Sequence, residues 1–588
     1  MSALPLLALL ALHLTVPPRA IPARPDAPLP DSAIRARVGV YMDRLASVGY
    51  SGAVLVLRNG MPVVERAIGF ANREQGIKAD TRTTWNLGSI TKQFTAAAIL
   101  RLEELGKLHT TDSITRWFPA AQGPKRNITV HQLLTHTAGF ESDYAPTDYT
   151  PNTRAEYMQR MLAAPLQSPP GAEHSYANSG YSMLAAIIEI ITGKEFEVAL
   201  TELVLTPAGM TETGYTRPNW PAARISHGYQ NGADWGTIPD KLRVSGAPFW
   251  ALRGNGGLQT TLADMARWEK VTTTNIVLTD SSRRKWMTGH VSEGGPGDSK
   301  YAYGWAVHPS ARGTRVVEHN GGNGVFVAEW RRFPDEGISI FVASSVAELK
   351  ASPVVDDIEK AVFGGDYTLP PAAVPVDASA LAAVAGRWRS ATGDGLDIDA
   401  RDGRLVVRAT GPATWMMLTR GDTAVSSGSR AIGAQSLAIV LAMSKGDPKP
   451  LFDALKGREP LGELTQQVRG LAAERTERLG TLKSVSLLGA VPRQRGTNTI
   501  LVATVRLDYE RGVVSNVLVW APDGTLRDRL ARPLAPALFV PVAGGAFQRL
   551  DLSGGPPDPA VRIEKDGATG RITLVAPSGQ RVVLTKSS

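Results

Sequence analysis

The sequence predicts an α+β protein in three parts: a large α+β domain, then a small β-barrel that carries an α+β insert. Three observations carry that reading. Strand-like apolar runs open and close the stretch 31–365, with helical signals and Pro/Gly-rich loops between them, which suits one antiparallel sheet joining the two ends of its segment. The texture changes at Gly364-Gly365 and Pro370-Pro371. Beyond that break, two stretches of apolar/polar alternation with turn signals flank a unit made of a helix and a meander.

Size and composition bound the rest. The chain has 588 residues, 43% of them hydrophobic, so at about 150 residues per domain it holds two to four domains. It has no cysteine, which removes disulfides, thiolate metal sites and cysteine nucleophiles. The formal net charge of +9 is scattered rather than gathered into a stripe. That pattern is not a nucleic-acid footprint; an anionic cell-envelope component is the partner it leaves open.

Taken in order, the chain begins MSALPLLALLALHLTVPPRAIPARP. The apolar run Ala3 to Val16 is shorter than the roughly 20 residues that span a bilayer. A Pro pair and the small residues Ala20 and Ala23 follow it, although no Lys or Arg precedes it. This reads as an export signal over 1–23, with a periplasmic or extracellular destination. A helix is predicted over Asp31 to Leu45. Next, SGAVLVLRNGMPVVERAIGFAN places two β-rich runs around Arg58-Asn59-Gly60, a hairpin signal. WNLGSITKQFTAAAILRLEELG reads as an apolar helix behind Gly88. In GLQTTLADMARWEK, Thr261 precedes apolar residues at helical spacing. YGWAVHP, TRVVEHNGGNGVFVAEWRRFP and GISIFVASSVA supply the closing strands.

Residues 366–380 form a Pro-rich linker. The barrel halves are assigned to 381–436 and 533–588, with a turn at Asp402-Gly403. The insert is assigned to 437–532. Its helix sets Leu464, Val468, Leu471 and Leu479 on one face and stops at Gly480. No short-period repeat or low-complexity tract occurs.

The chemistry gathers on three segments. Ser89 and Lys92 are three apart, neighbours on one helical face. At the first turn, unpaired N–H groups and the helix dipole favour developing negative charge on Ser89. A buried lysine has a lowered pKa and can take the serine proton. The plain alternative is an N-cap serine beside a solvated lysine. Tyr176 and Asn178 stand two apart before an amphipathic helix. A tyrosine beside an ammonium is expected to have a lowered pKa and to shuttle protons. Packing and helix capping are the plain reading of that pair. His319, Asn320, Gly321 and Gly322 lie on a strand whose glycines leave room for a substrate along its edge. The N–H groups of Gly322 and Ser89 would make an oxyanion hole; a glycine bulge with a surface histidine is the plain alternative. Other chemistries find no support. G-x-S-x-G, H-E-x-x-H, Walker A and dinucleotide fingerprints are absent, and His131 and His136 read as core or loop residues.

S-x-x-K, Y-x-N and H-x-G in this order resemble the serine β-lactamase and penicillin-binding protein superfamily. HQLLTHTAGF, PGAEHSYANSGY and GGLQTTLADMARW sharpen the likeness to its class C branch, which includes AmpC-type β-lactamases, D-alanyl-D-alanine carboxypeptidases, D-aminopeptidases and related esterases. The likeness covers about residues 35–365. It implies an antiparallel sheet with an all-helical subdomain and no cofactor or metal. It implies Ser89 as nucleophile, Lys92 and Tyr176 as its proton-handling partners, and Asn178 on the substrate's amide side chain. His319 would stand beside the substrate's carboxylate where a lysine is usual, with Gly321 and Gly322 lining the edge. The later modules resemble a lipocalin-like barrel and an NTF2-like insert.

His319 is a departure from the family's Lys-Thr-Gly. A histidine is mostly neutral at neutral pH, so an anionic carboxylate should bind more weakly. The expectation is therefore an exported serine hydrolase acting through an acyl-enzyme on a small-molecule or peptide substrate: an ester, an amide or a D-amino acid peptide. A class C-type β-lactamase or D-Ala-D-Ala carboxypeptidase is one alternative. A non-catalytic penicillin-binding-like recognition protein is another.

Overall fold

The structure is a computed structural model that describes residues 27–587 except 146, 231–232, 245–248, 295–297, 347–349, 421–426, 457–458, 496–497, 522, 533–535 and 551–560. The export signal assigned to 1–23 lies outside the described residues.

An eight-stranded sheet organises the first domain. Its spatial order is Met61–Ile68, Gly52–Arg58, Ile338–Ser344, Val327–Phe333, Arg315–Gly322, Ala306–Pro309, Lys300–Tyr301, Val291–Ser292. Every neighbouring pair is antiparallel. The first two strands form the predicted hairpin. Asn59 (φ 50°) and Gly60 (φ 76°) make its turn, the left-handed pair that a two-residue hairpin needs. Gly52–Arg58 also pairs with Ile338–Ser344, from Gly52 opposite Ser344 to Arg58 opposite Ile338, so the two ends of the domain meet in the sheet.

GAVLVLR is apolar on both faces because both faces are covered. Ala53, Leu55 and Leu57 enter a large core with Phe94, Ile99 and Trp268 of the helical region. Val54 and Val56 enter a second core with Ile34 and Val38 of helix Asp31–Ser47 and Val354 and Ile358 of helix Ala351–Phe363. Burying one such side chain stabilises by about 1.5–3 kcal/mol, so period-two alternation between two cores fixes the register firmly.

The barrel closes from both halves. Its strands are Gly386–Arg389, Gly395–Arg401, Arg404–Ala409, Ala537–Pro541, Phe547–Leu550, Arg562–Asp566, Arg571–Val575 and Arg581–Lys586, and the last pairs with the first. Asp402 (φ 52°) and Gly403 (φ 71°) form the expected turn. Between Arg404–Ala409 and Ala537–Pro541 sit a four-stranded antiparallel sheet and its helices. One boundary needs correction. The insert's assigned start, 437, falls inside helix Ser427–Ser444, whose Ile439 and Val440 pack with Val505 and Leu518 of that sheet. Alternation in the sequence could not place this start, because the Gly411-Pro412 break that ends the preceding strand leads into helix Pro412–Arg420 rather than into another strand. The Pro-rich stretch is also tied down: Ala373 bridges to Val542, and Val540 and Leu550 of the barrel join the second core. No described helix is long and apolar enough to cross a membrane.

Candidate active site

Ser89 stands in a single 3-10 turn, Gly88–Ile90, that leads into helix Thr91–Glu104. Asn86 sets the turn: its Oδ1 accepts the Gly88 N–H at 3.0 Å and its Nδ2 donates to the Leu258 carbonyl at 3.3 Å. Gly88 has φ 50°, and a methyl group there would lie 2.4 Å from the Gly322 nitrogen. A methyl at Gly321 would lie 2.1 Å from the Leu87 oxygen and 2.8 Å from the Ser89 nitrogen. Turn and strand therefore touch backbone to backbone, which requires glycine on both sides. Ala96, Ala97 and Ala98 let the helix thread the crowded centre of the domain.

Lys92 is fully buried. Its Nζ lies 3.0 Å from Ser89 Oγ, 2.8 Å from Asn178 Oδ1 and 2.9 Å from the Asn255 carbonyl oxygen. Burial pushes its pKa well below the usual lysine range, against the pull of Asp148 and Asp143. A neutral amine has two N–H groups and one lone pair. Two of its three partners here are carbonyl oxygens, which only accept; the serine hydroxyl is the one that can donate. The lone pair of a neutral Lys92 is thus left for Ser89.

Tyr176 brings its hydroxyl to Ser89, and the face of its ring lies 4.8 Å from Lys92 Nζ. It is 38% exposed, as a residue lining an open cleft is. The expected lowering of its pKa is overturned. Desolvation pushes the phenol up and outweighs the hydrogen bond to Ser89. The ammonium expected to lower it is itself driven towards the neutral form.

His319 is buried, not a surface residue. Its Nδ1 lies 2.5 Å from the Asn320 carbonyl oxygen and must donate to it; its Nε2, 3.0 Å from Tyr301 Oη, then accepts the phenol O–H. Burial first, and Lys92 second, lower its pKa to about 4. Along strand Arg315–Gly322, the neighbouring strand Ala306–Pro309 reaches only Arg315–Glu318, so from His319 onwards no described strand lies on that edge. An extended group can lie there as an added strand.

The family model described as Beta-lactamase matches residues 34–363. The chain belongs to the beta-lactamase family. Within it, this chain is 30% identical over 281 residues to "Putative penicillin-binding protein PbpX" of Bacillus subtilis, covering 45% of this chain and 64% of that one, under two thirds of its length. It is 24% identical over 339 residues to "Penicillin-binding protein 4*" of Bacillus subtilis, covering 55% and 74%. In fold it is similar to the octameric penicillin-binding protein homologue from Pyrococcus abyssi. That match has a TM-score of 0.52 at 17% identity and covers 88% of this chain and 98% of that one.

In this beta-lactamase-family site, Ser89, Lys92, Tyr176, Asn178, His319, Gly321 and Gly322 share one neighbourhood. Asn178, however, turns its Oδ1 to Lys92 and opens helix Asn178–Thr192 as its first residue rather than capping it. Sequence reasoning passed over three participants. Asn255 supplies a carbonyl from the glycine-rich bend Gly254-Asn255-Gly256-Gly257, whose glycines were its signal. Tyr301 orients His319. His136, read as a core or loop residue, packs its ring on Tyr176 with centroids 4.3 Å apart. Its signal was a histidine between two threonines ahead of a glycine, which is no chemical pattern. Among the described residues, no three His, Asp or Glu side chains gather to hold a metal ion.

Proposed function

We propose that the chain is an exported serine hydrolase that forms a covalent acyl-enzyme at Ser89. The observation that carries this reading is the hydrogen-bond inventory of Lys92: two fixed carbonyl acceptors and one hydroxyl. Ser89 Oγ gives its proton to the Lys92 lone pair and attacks the substrate's carbonyl carbon. The N–H groups of Ser89 and Gly322 receive the oxyanion. Lys92 returns the proton through Tyr176 to the leaving group. Tyr176 takes one proton as it gives another, so no phenolate is required. Water, activated by the same pair, then releases the acyl group.

The charge of the cleft selects the substrate. Both nitrogens of His319 are occupied and Lys92 is turned inward, so among these residues no cation is offered to a substrate carboxylate. That supports uncharged esters and amides over penicillins and peptides ending in D-Ala. The apolar leader Ala3 to Val16 supports export, and the closed barrel beside a helix-and-sheet insert supports the lipocalin-like and NTF2-like likeness.

A fluorophosphonate probe followed by intact mass tests the nucleophile. One adduct on the full chain, lost in Ser89→Ala, is expected; an adduct that survives that substitution overturns the assignment. Turnover of p-nitrophenyl butyrate should exceed that of nitrocefin. The reverse ranking would favour a β-lactamase.

A further inference from the structure

His136 follows the short helix Val130–Leu134 and has φ 56°, a left-handed conformation uncommon outside glycine. It is 2% exposed. Two of its acceptors grip the same passing segment. Its carbonyl oxygen accepts the Ser175 N–H at 2.9 Å, and its ring Nδ1 accepts the Ala177 N–H at 3.1 Å. The chain is thus held immediately before and immediately after Tyr176. The ring itself is the floor under the phenol, tilted 36° to it, and Tyr301 (4.7 Å) and Tyr181 (5.1 Å) close the box around it. Because Nδ1 accepts, a neutral ring carries its proton on Nε2, which is buried and has no hydrogen bond among the described residues. A strained backbone and an unpaired buried N–H in one residue are costs that a folding role alone would not retain.

We propose that His136 is the positioning residue of this site: it holds the Tyr176 hydroxyl on Ser89 by gripping both neighbours of the phenol. The inference rests on the reading of Ser89 as nucleophile. Such a residue acts on the proton relay and leaves substrate binding alone. Its loss therefore lowers kcat rather than raising KM.

Two nearly isosteric variants of the full chain separate the acceptor from the bulk. In His136→Asn the side-chain Oδ1 replaces Nδ1 as acceptor, and asparagine tolerates a left-handed backbone. In His136→Leu the acceptor is gone. With p-nitrophenyl butyrate, His136→Leu should lower kcat by about tenfold or more while KM stays within about threefold, since a small misplacement of a catalytic group costs this much. His136→Asn should recover most of the loss. Equal loss in both variants, or an unchanged kcat in His136→Leu, overturns the proposal. If His136→Leu does not fold, histidine-selective nitrogen-15 NMR of the natural chain decides. An Nε2–H tautomer at this residue is expected, and an Nδ1–H tautomer overturns the grip on Ala177. Wild-type labelling by the fluorophosphonate keeps the two readings apart. A labelled wild type with equal variants sinks the positioning role alone, whereas an unlabelled wild type sinks the nucleophile and this role with it.

Discussion

Glu318 and His319 are neighbours on one strand and face opposite sides of the sheet, and the two sides treat charge in opposite ways. Behind the sheet, Arg331 donates to Glu318 (2.6 Å), Glu329 (2.6 Å), Asp356 (2.8 Å) and Glu359 (2.9 Å). His308 lies 3.1 Å from Glu318, whose hydrogen bond raises the histidine's pKa. Glu318 is held well below the usual carboxylate range by His308 and Arg331 in spite of its burial. In front, Asp148, Asp143 and Glu293 act only through space, and no described carboxylate is hydrogen-bonded to the bases there. Lys92, His136, His174 and His319 are all pushed down, and burial is the leading cause each time. The same sheet thus keeps Glu318, Arg331 and His308 charged where opposite charges are brought together, although burial lifts the neighbouring Glu329 to about 7, and strips charge where a base needs a free lone pair.

If that division is right, the two faces fail in different measurements. The largest expected effect is on rate. Lys92→Ala should lower kcat by about 10²–10⁴-fold, the usual worth of a general base, while the thermal midpoint moves by only a few degrees. An unchanged kcat would remove Lys92 from the chemistry. Arg331→Met should do the reverse. It leaves Glu318, Glu329, Asp356 and Glu359 without their shared cation, a loss of about 3–5 kcal/mol in urea unfolding. The kcat of the folded fraction should stay within about twofold. A variant at Arg331 that is stable yet inactive would break the comparison, because the back face would then belong to the site.

What was legible in the sequence follows the same line. Regular alternation and left-handed turn residues announce themselves locally, so the hairpin at Asn59-Gly60, the barrel turn at Asp402-Gly403 and the helix stop at Gly480 were all readable from short windows. Ser89 and Lys92 were readable because helical spacing makes them neighbours. Burial is not local. Nothing within a few residues of Tyr176 says that its hydroxyl will be desolvated, so a rule about adjoining charge gave the wrong direction. His136 was missed for the same reason, since its partners lie 39 to 41 residues away and bond to it mainly through backbone groups. The start of helix Ser427–Ser444 was missed because its apolar residues face a sheet formed much later in the chain.

Acid exposes the smallest of these differences, and its sign separates the two faces. An unfolded histidine titrates near 6.5. Folded His319 titrates at about 4. As pH falls through that window the unfolded chain takes up the proton first, so the stability that neutral His319 contributes above about 6.5 drains away towards pH 4. The ceiling is about 3 kcal/mol for a shift of this size. His308 has the opposite sign. Its folded pKa is raised, so its contribution is complete below the unfolded value and is lost as pH climbs through the folded one. Urea midpoints at about pH 7.5, 6 and 5 read both. Relative to wild type, His319→Asn should gain ground on acidification and His308→Asn should lose it. Parallel curves for the two variants would mean that the strand does not divide charged from uncharged histidine, and the account of the cleft as a place emptied of cations would fall with it.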